Sequence, residues 1–264
     1  MSLFQTSTPN VLLRSPHCDD FALLEPHLER TSLSVKEPLY QPNQPIERVF
    51  FPESGVASIT ALQEGGDLIE VGLYGREGFS GTAVVLGAKQ SPHASMVQVG
   101  ELPSLSISSE RLMQACDESP RLLRLLLRYT QTLAVQAALT AASNAHYALP
   151  ERLARWLLMC HDRVDGDQIE LTHHFISMML AVRRSGVTIT LHTLEGTGAI
   201  RSTRGLVHVI NRERLEEIAG DSYGEAEAEY RRLIGPFGKG RHGIALANSE
   251  QALSQPQAQS RVPN

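Results

Sequence analysis

LTHHFISMMLAVRRSGVTITLHTLEGTGAIRSTRGLVHVIN, residues 171–211, decides the reading of this chain. It carries Arg183, Arg184, Arg201 and Arg204, with Arg212 just beyond, against the single acid Glu195, although the whole chain has a formal net charge of −5. Positive charge is therefore gathered here. Phe175, Met178, Met179 and Val182 recur at helical intervals behind Thr172, a residue suited to an N-cap, so the spacing predicts a short helix ending near Ala181. Val187, Leu191 and Leu194 repeat on a second helix, which puts Arg183, Arg184, Ser185, Thr188 and His192 on or near its wet face. Gly196 and Gly198 stop that helix. Residues 199–201 and 206–210 read as two short strands joined through Ser202-Thr203-Arg204-Gly205. Two helices around a tight turn, followed by a basic hairpin, predict a winged helix-turn-helix whose second helix enters the DNA major groove.

Around this stretch, 264 residues leave room for two domains with their own cores. With 42% hydrophobic and 20% charged residues the composition is that of an ordinary soluble protein rather than a disordered one. No apolar run approaches the ~20 residues of a membrane span and no signal-type N-terminus is visible, so no membrane is expected and the expected location is the cytoplasm. Cys18, Cys116 and Cys160 are scattered without CxxC spacing, which argues against a disulfide framework or a cysteine-only metal site. A pI near 6.1 argues against indiscriminate nucleic-acid binding and makes local charge the relevant quantity.

Residues 1–16 carry little pattern and read as a loose lead-in. Phe21, Leu24 and Leu28 form one apolar stripe of a short helix closed by Glu29-Arg30. From 31 to 108 the signal changes to short β-like runs at 32–35, 49–51, 56–62, 68–73, 94–99 and 105–107, broken by Gly, Pro and Asn. Their regular spacing predicts an antiparallel sandwich or roll, with Glu64-Gly65-Gly66-Asp67 as its clearest hairpin turn. No acid occurs between Ser119 and Leu149, and Leu122, Leu126, Tyr129, Leu133, Gln136 and Thr140 keep a spacing of three and four. A helix over 119–147 would run ~43 Å. Its widened apolar surface, rich in Ala, predicts a dimerisation seam through Leu122, Leu126, Tyr129, Leu133 and Ala137. Pro150 opens a further helix in which Leu153, Trp156, Leu157 and Cys160 pack toward the helix-turn-helix, and Asp165-Gly166-Asp167 is its exit. Helical pieces are expected at 215–219 and 225–234. The fold class is thus α+β, with a β-roll over 17–110, a connecting helix over 111–148, a winged helix-turn-helix over 149–235 and a disordered tail over 236–264.

This order of parts resembles the Crp/Fnr family of bacterial transcription regulators. Tyr74-Gly75-Arg76-Glu77-Gly78-Phe79-Ser80-Gly81 is similar to that family's glycine-bracketed β-roll segment, residues 171–200 to its helix-turn-helix, and Glu151-Arg152-Leu153-Ala154-Arg155-Trp156-Leu157-Leu158 to the preceding helix. The resemblance implies a cyclic-nucleotide-binding-type roll, and Gly78, Gly81, Thr82 and His93 as its effector pocket. Members that bind cyclic AMP carry Glu after the second glycine and Arg before the next strand. Here Thr82 follows Gly81, and Ser91-Pro92-His93-Ala94-Ser95 has no Arg. A buried cyclic phosphate then lacks the donors that offset its lost water, so no cyclic nucleotide is expected. Three cysteines cannot supply the four thiolates of an iron-sulfur cluster. His93 reads as a partly solvated loop histidine rather than a haem or phosphate ligand. His173 and His174, adjacent on a helix, point about 100° apart and cannot easily grip one ion. No cofactor or metal is expected. Ala181 stands where many members have Gly, and Ala is accommodated there if that residue stays near helical angles.

The residues expected to meet DNA are Arg183, Arg184, Ser185, Thr188, His192, Arg201 and Arg204. By the family's pattern Arg184 takes the two acceptors of a guanine, while Arg201 and Arg204 suit phosphates. Expected partners are double-stranded DNA, a second copy of the chain, RNA polymerase, and an unknown small-molecule effector or none. The alternative is a ligand-sensing or protein-interaction scaffold on the same fold. No nucleophile elbow, phosphate loop, HExxH or paired-carboxylate motif supports an enzyme.

Overall fold

A computed structural model describes residues 5–63 and 68–240. The expected 64–67 turn and the 241–264 part of the expected tail lie outside the described residues. The chain opens with α1 (Val11–Arg14) and α2 (Cys18–Leu24). The lead-in expectation is corrected here. Asn10 caps α1 by accepting from the Leu13 amide at 2.9 Å, and its side-chain NH2 donates to the carbonyls of Pro52 and Gly78 at 2.8 and 2.9 Å. Leu12 and Leu13 are buried in the roll's core.

The roll contains β1 (Glu29–Leu33), β2 (Pro38–Tyr40), β3 (Arg48–Pro52), β4 (Val56–Leu62), β5 (Leu68–Tyr74), a short α3 (Thr82–Val85), β6 (Ala94–Val99) and β7 (Leu102–Ser108). They form two antiparallel sheets in the orders β1-β7-β3 and β2-β6-β4-β5. Glu29 and Arg30 belong to β1, paired with Ser106 and Leu105, rather than closing a helix, because Pro26 has already ended the helical run in a 3-10 turn. β2 and α3 are additions to the expected elements. Between the sheets Val49, Phe51, Phe79, Val97, Leu105 and Ile107 make a continuous apolar core.

Next come α4 (Ser109–Glu118), α5 (Pro120–His146) and α6 (Leu149–His161). Ser108 and Ser119 cap α4 and α5, each hydroxyl accepting a backbone N–H at 3.2 Å, and Pro120 and Pro150 sit where a helix's first turn tolerates proline. Most of the residues expected at a dimer seam are covered within the subunit. Leu122, Leu126 and Tyr129 are no more than 2% exposed and pack into their own subunit's roll, and Leu133 faces Gly72. A partly covered flank of α5 runs through Leu123, Leu127, Thr130, Ala134, Ala137 and Ala141, at alternating intervals of four and three, with Leu123 and Leu127 touching the roll's core. Only Ala137 of the expected seam lies on it.

The C-terminal part holds β8 (Gln168–Glu170), α7 (His173–Met179), α8 (Arg184–Gly196), β9 (Ile200–Thr203), β10 (Leu206–Val209), α9 (Arg212–Ala219) and α10 (Glu225–Leu233). Its sheet runs β8-β10-β9, so the expected hairpin gains a third strand from residues just before α7. The two cores interlock. Val56, Leu73 and Val99 of the roll cluster with Trp156 and Leu157, while Tyr230 and Phe237 from the C-terminal end join the roll's core. Trp156 Nε1 donates to Glu70 Oε1 at 2.8 Å, and the fully buried Arg163 meets Glu77 at 2.8 Å. Arg76 adds an ion pair to Asp165 at 2.7 Å. Residues 236–240 belong to this fold, with the Lys239 amide donating to Asp162 Oδ1 at 2.9 Å, so the tail begins later than expected.

Candidate nucleic-acid interface

α7 starts where Thr172 Oγ1 accepts from the Phe175 amide at 3.2 Å, and Ile176 and Met179 turn inward. The turn that follows places Ala181 at φ 52°, in the left-handed region. The condition of near-helical angles is therefore not met. A turn this tight needs one left-handed residue to reverse the chain, and Ala adopts it at a cost of ~1–2 kcal/mol because its Cβ crowds the following carbonyl. Arg152 of α6 secures the turn, donating to the Leu180 carbonyl at 2.6 Å.

α8 buries Val187, Thr190, Leu191 and Leu194, which fixes its rotation. Arg183, Arg184, Ser185, His192 and Thr193 are left exposed or half-exposed, together with Ile189 at 68%. Arg183 occupies the N-cap position without making a side-chain cap, so the first N–H groups of α8 face outward beside two guanidinium groups. Such a helix start favours anions. Thr188 is half-buried. Its hydroxyl donates to the Arg184 carbonyl at 3.1 Å and lies 3.1 Å from His173 Nδ1, so it ties α8 to α7 more than it reaches outward.

The wing folds at Arg204-Gly205, between paired Thr203 and Leu206, and Gly205 takes φ 80° there. Arg201 and Arg204 are exposed on it. An open cleft runs between α8 and the wing, lined by Arg184, Ser185, Thr188, His192, Thr203 and Arg204 among others. The single acid in the cleft, Glu195, is engaged, accepting from the Ser202 amide at 2.6 Å and lying 3.2 Å from His192 Nδ1. Arg183, Arg184, Arg201 and Arg204 make no ion pair among the described residues. By contrast Arg48, Arg76, Arg121, Arg163 and Arg212 each hold a carboxylate. The expected DNA-facing set therefore comes together on one surface, with Thr188 turned partly inward. Ile189 and Thr193 are additions. Spacing signals Ile189, which lies nearly opposite Val187 and Leu194, and places Thr193 on the flank of that face, but an apolar residue at 189 carries none of the charge or hydrogen-bonding capacity by which a polar surface is recognised.

The expected effector residues do not converge on open space. A Cβ on Gly78 would meet the Tyr129 ring at 2.1 Å, and one on Gly81 would meet Ile46 Cγ2 at 3.0 Å. Gly78 is thus required by the close approach of α5, and Phe79 stacks obliquely on Tyr129 with ring centroids 5.1 Å apart. Thr82 starts α3, and His93 is half-buried in the loop before β6. The ligand-type atoms of His17, Cys18 and Asp19 lie within 4.8 Å of one another, all exposed, and His17 Nδ1 accepts from the Asp19 amide as the cap of α2. Cys116 and Cys160 are buried, and burial raises both thiols, Cys116 to about 11, which makes them unreactive. No helix among the described residues is long and apolar enough to cross a membrane.

A winged helix-turn-helix with four unpaired arginines, carried behind a β-roll, defines a DNA-binding transcription regulator, not an enzyme. Residues 151–218 match the Crp-like helix-turn-helix domain. The chain is 28% identical over 158 residues to the global nitrogen regulator of Nostoc sp. strain PCC 7120, covering 58% of this chain and 71% of that protein. With the global nitrogen regulator of Synechocystis sp. strain PCC 6803 it shares 27% identity over 187 residues, 68% of this chain and 83% of the relative. The fold is shared with TTHB099, a Crp-family transcriptional regulator from Thermus thermophilus, at a TM-score of 0.61 and 19% identity, covering 72% of this chain and 97% of that one.

Proposed function

We propose that this regulator acts in the cytoplasm as a homodimer on an inverted-repeat operator, inserting α8 of each subunit into the major groove. The observation that carries this reading is the set of unpaired arginines on α8 and the wing, in a chain whose net charge is −5. Arg184 reads a guanine through its O6 and N7, and Arg201 and Arg204 hold phosphates on either side. The second copy packs on the partly covered flank of α5, where Leu123, Leu127, Thr130, Ala134, Ala137 and Ala141 keep a coiled-coil rhythm and the alanines allow close approach. Two recognition helices in a two-fold dimer then meet grooves ~34 Å apart. The roll does not take up cyclic AMP or cyclic GMP, because Thr82 and the Arg-free 91–95 loop offer no counter-charge and Tyr129 fills the space beside Gly78. What the roll reads instead, a small molecule or contact with RNA polymerase, is a separate matter from DNA recognition.

Selection of bound sequences from a random duplex library tests this reading. An inverted repeat with half-sites one helical turn apart is expected. Arg184→Ala should cost ~1–3 kcal/mol on that operator and relax the preference at one base pair per half-site. Equal losses on operator and random DNA would show that Arg184 touches backbone only.

A further inference from the structure

The side chain of α8 that lies most nearly opposite its buried stripe is apolar. Val187, Leu191 and Leu194 define the inward side of the helix, and at 100° per residue Ile189 lies nearly opposite them, between Ser185 one turn before and His192 and Thr193 one turn after. It is 68% exposed, and no described neighbour covers it. Ile is a mediocre helix former, so propensity gives no reason for it at an exposed position that Gln, Lys or Ala would fill better.

We propose that Ile189 is a specificity-determining residue that reads the C5 methyl group of a thymine in each half-site. The proposal rests on the placement of α8 in the major groove given above. In that placement the residue opposite the buried face points at the groove floor. The floor is made of hydrogen-bond donors and acceptors with one apolar group, the thymine methyl. A β-branched hydrocarbon set against a guanine, adenine or cytosine edge would strip water from polar atoms and return no hydrogen bond. Against a thymine methyl both partners lose only apolar hydration. Ile189 therefore complements Arg184 in kind: the guanidinium selects by making hydrogen bonds, and Ile189 selects by penalising every base that needs one.

The test replaces single thymines of the selected operator with deoxyuridine, which deletes the methyl and leaves the Watson–Crick edge intact. Binding is measured for the full-length protein and for Ile189→Ala. One thymine per half-site is expected at which deoxyuridine weakens the unaltered protein about fourfold, the worth of one buried methyl-sized group. With Ile189→Ala the same substitution should have no effect, and thymine should lose its advantage at that position in a repeated selection. Circular dichroism identical to that of the unaltered protein is expected, since the side chain is exposed. If an operator is selected but no deoxyuridine effect depends on Ile189, this assignment is overturned while DNA recognition by α8 stands. If no sequence is selected at all, both fall.

Discussion

Glu70 offers a direct test of how the roll and the DNA-binding part are joined. It is buried on β5 in the contact with α6, where Trp156 Nε1 donates to Oε1 at 2.8 Å and Ser58 Oγ lies 2.5 Å from Oε2. Burial pushes its carboxyl up to about 7, against the partial help of Ser58, Trp156, Arg155 and Arg163, which favour the charged form. The folded protein therefore holds a proton that the unfolded chain releases near 4.5. Below pH 4.5 Glu70 is neutral in both states and carries no penalty. As pH rises toward 7 the penalty for a buried carboxylate grows, and above 7 it is fully present. A rise from 4.5 to about 7, at ~1.36 kcal/mol per pH unit, is on the order of 3 kcal/mol. Glu70→Gln keeps an acceptor for Trp156 and a donor for Ser58, so it imitates the protonated acid at every pH. Urea unfolding, followed by the fluorescence of Trp156, the chain's single tryptophan, reads the very contact in question. The two proteins should match at pH 4.5, and by pH 8 the variant should be the more stable, by up to about 3 kcal/mol. Glu227, also raised by burial, contributes the same sign of slope to both and cancels in the difference. Parallel pH profiles for the two proteins would refute the assignment of Glu70 as a proton-holding contact between the parts.

Three other outcomes follow from named residues. Ala181→Gly should stabilise the protein by ~0.5–1 kcal/mol in thermal unfolding, the relief of a left-handed Cβ exceeding the added chain entropy; a decrease in stability would mean that residue 181 is not left-handed in solution. Leu126→Ala should cost ~2–5 kcal/mol of stability with the oligomer mass unchanged, whereas Leu127→Glu should leave a folded chain of half the mass in light scattering; the reverse pattern would restore the inward residues as the seam. Arg204→Ala should weaken operator and random DNA alike and lower the salt dependence of binding by ~0.9 for each phosphate that Arg204 neutralises, and an unchanged salt slope would remove Arg204 from the backbone-binding set.

Local pattern was enough to see most of this molecule. Thr172, the inward stripe of α8, the glycines after it and the basic hairpin each act within a turn or two of sequence, so the helix-turn-helix and wing are legible residue by residue. The same holds for β3 to β7 of the roll and for the length of α5, though not for β2 or the start of β1. What local pattern cannot decide is which of two apolar faces on one helix turns inward. α5 carries both the stripe through Leu122, Leu126 and Tyr129 and the stripe through Leu123, Leu127 and Ala134, and either would serve as a seam by spacing alone. The choice is made across the fold, by Gly78, whose missing side chain is the space into which Tyr129 packs.

The same kind of distance hides the contact between the parts. Glu70 and Trp156 are 86 residues apart, and so are Glu77 and Arg163, so neither pair has a sequence signature. Yet each partner breaks a local rule: Glu70 puts an acid into a strand of otherwise apolar or small residues, and Arg163 puts a guanidinium beside Cys160 at the end of an apolar helix. A buried charge survives only where a partner offsets its desolvation. Ile189 is the converse case, an apolar side chain kept in water on a face that otherwise selects polar ones. If each such exception marks a contact that the isolated segment lacks, Glu70 and Arg163 point to the other half of the chain. Ile189, with no partner among the described residues, points outward to the base edges that α8 would meet.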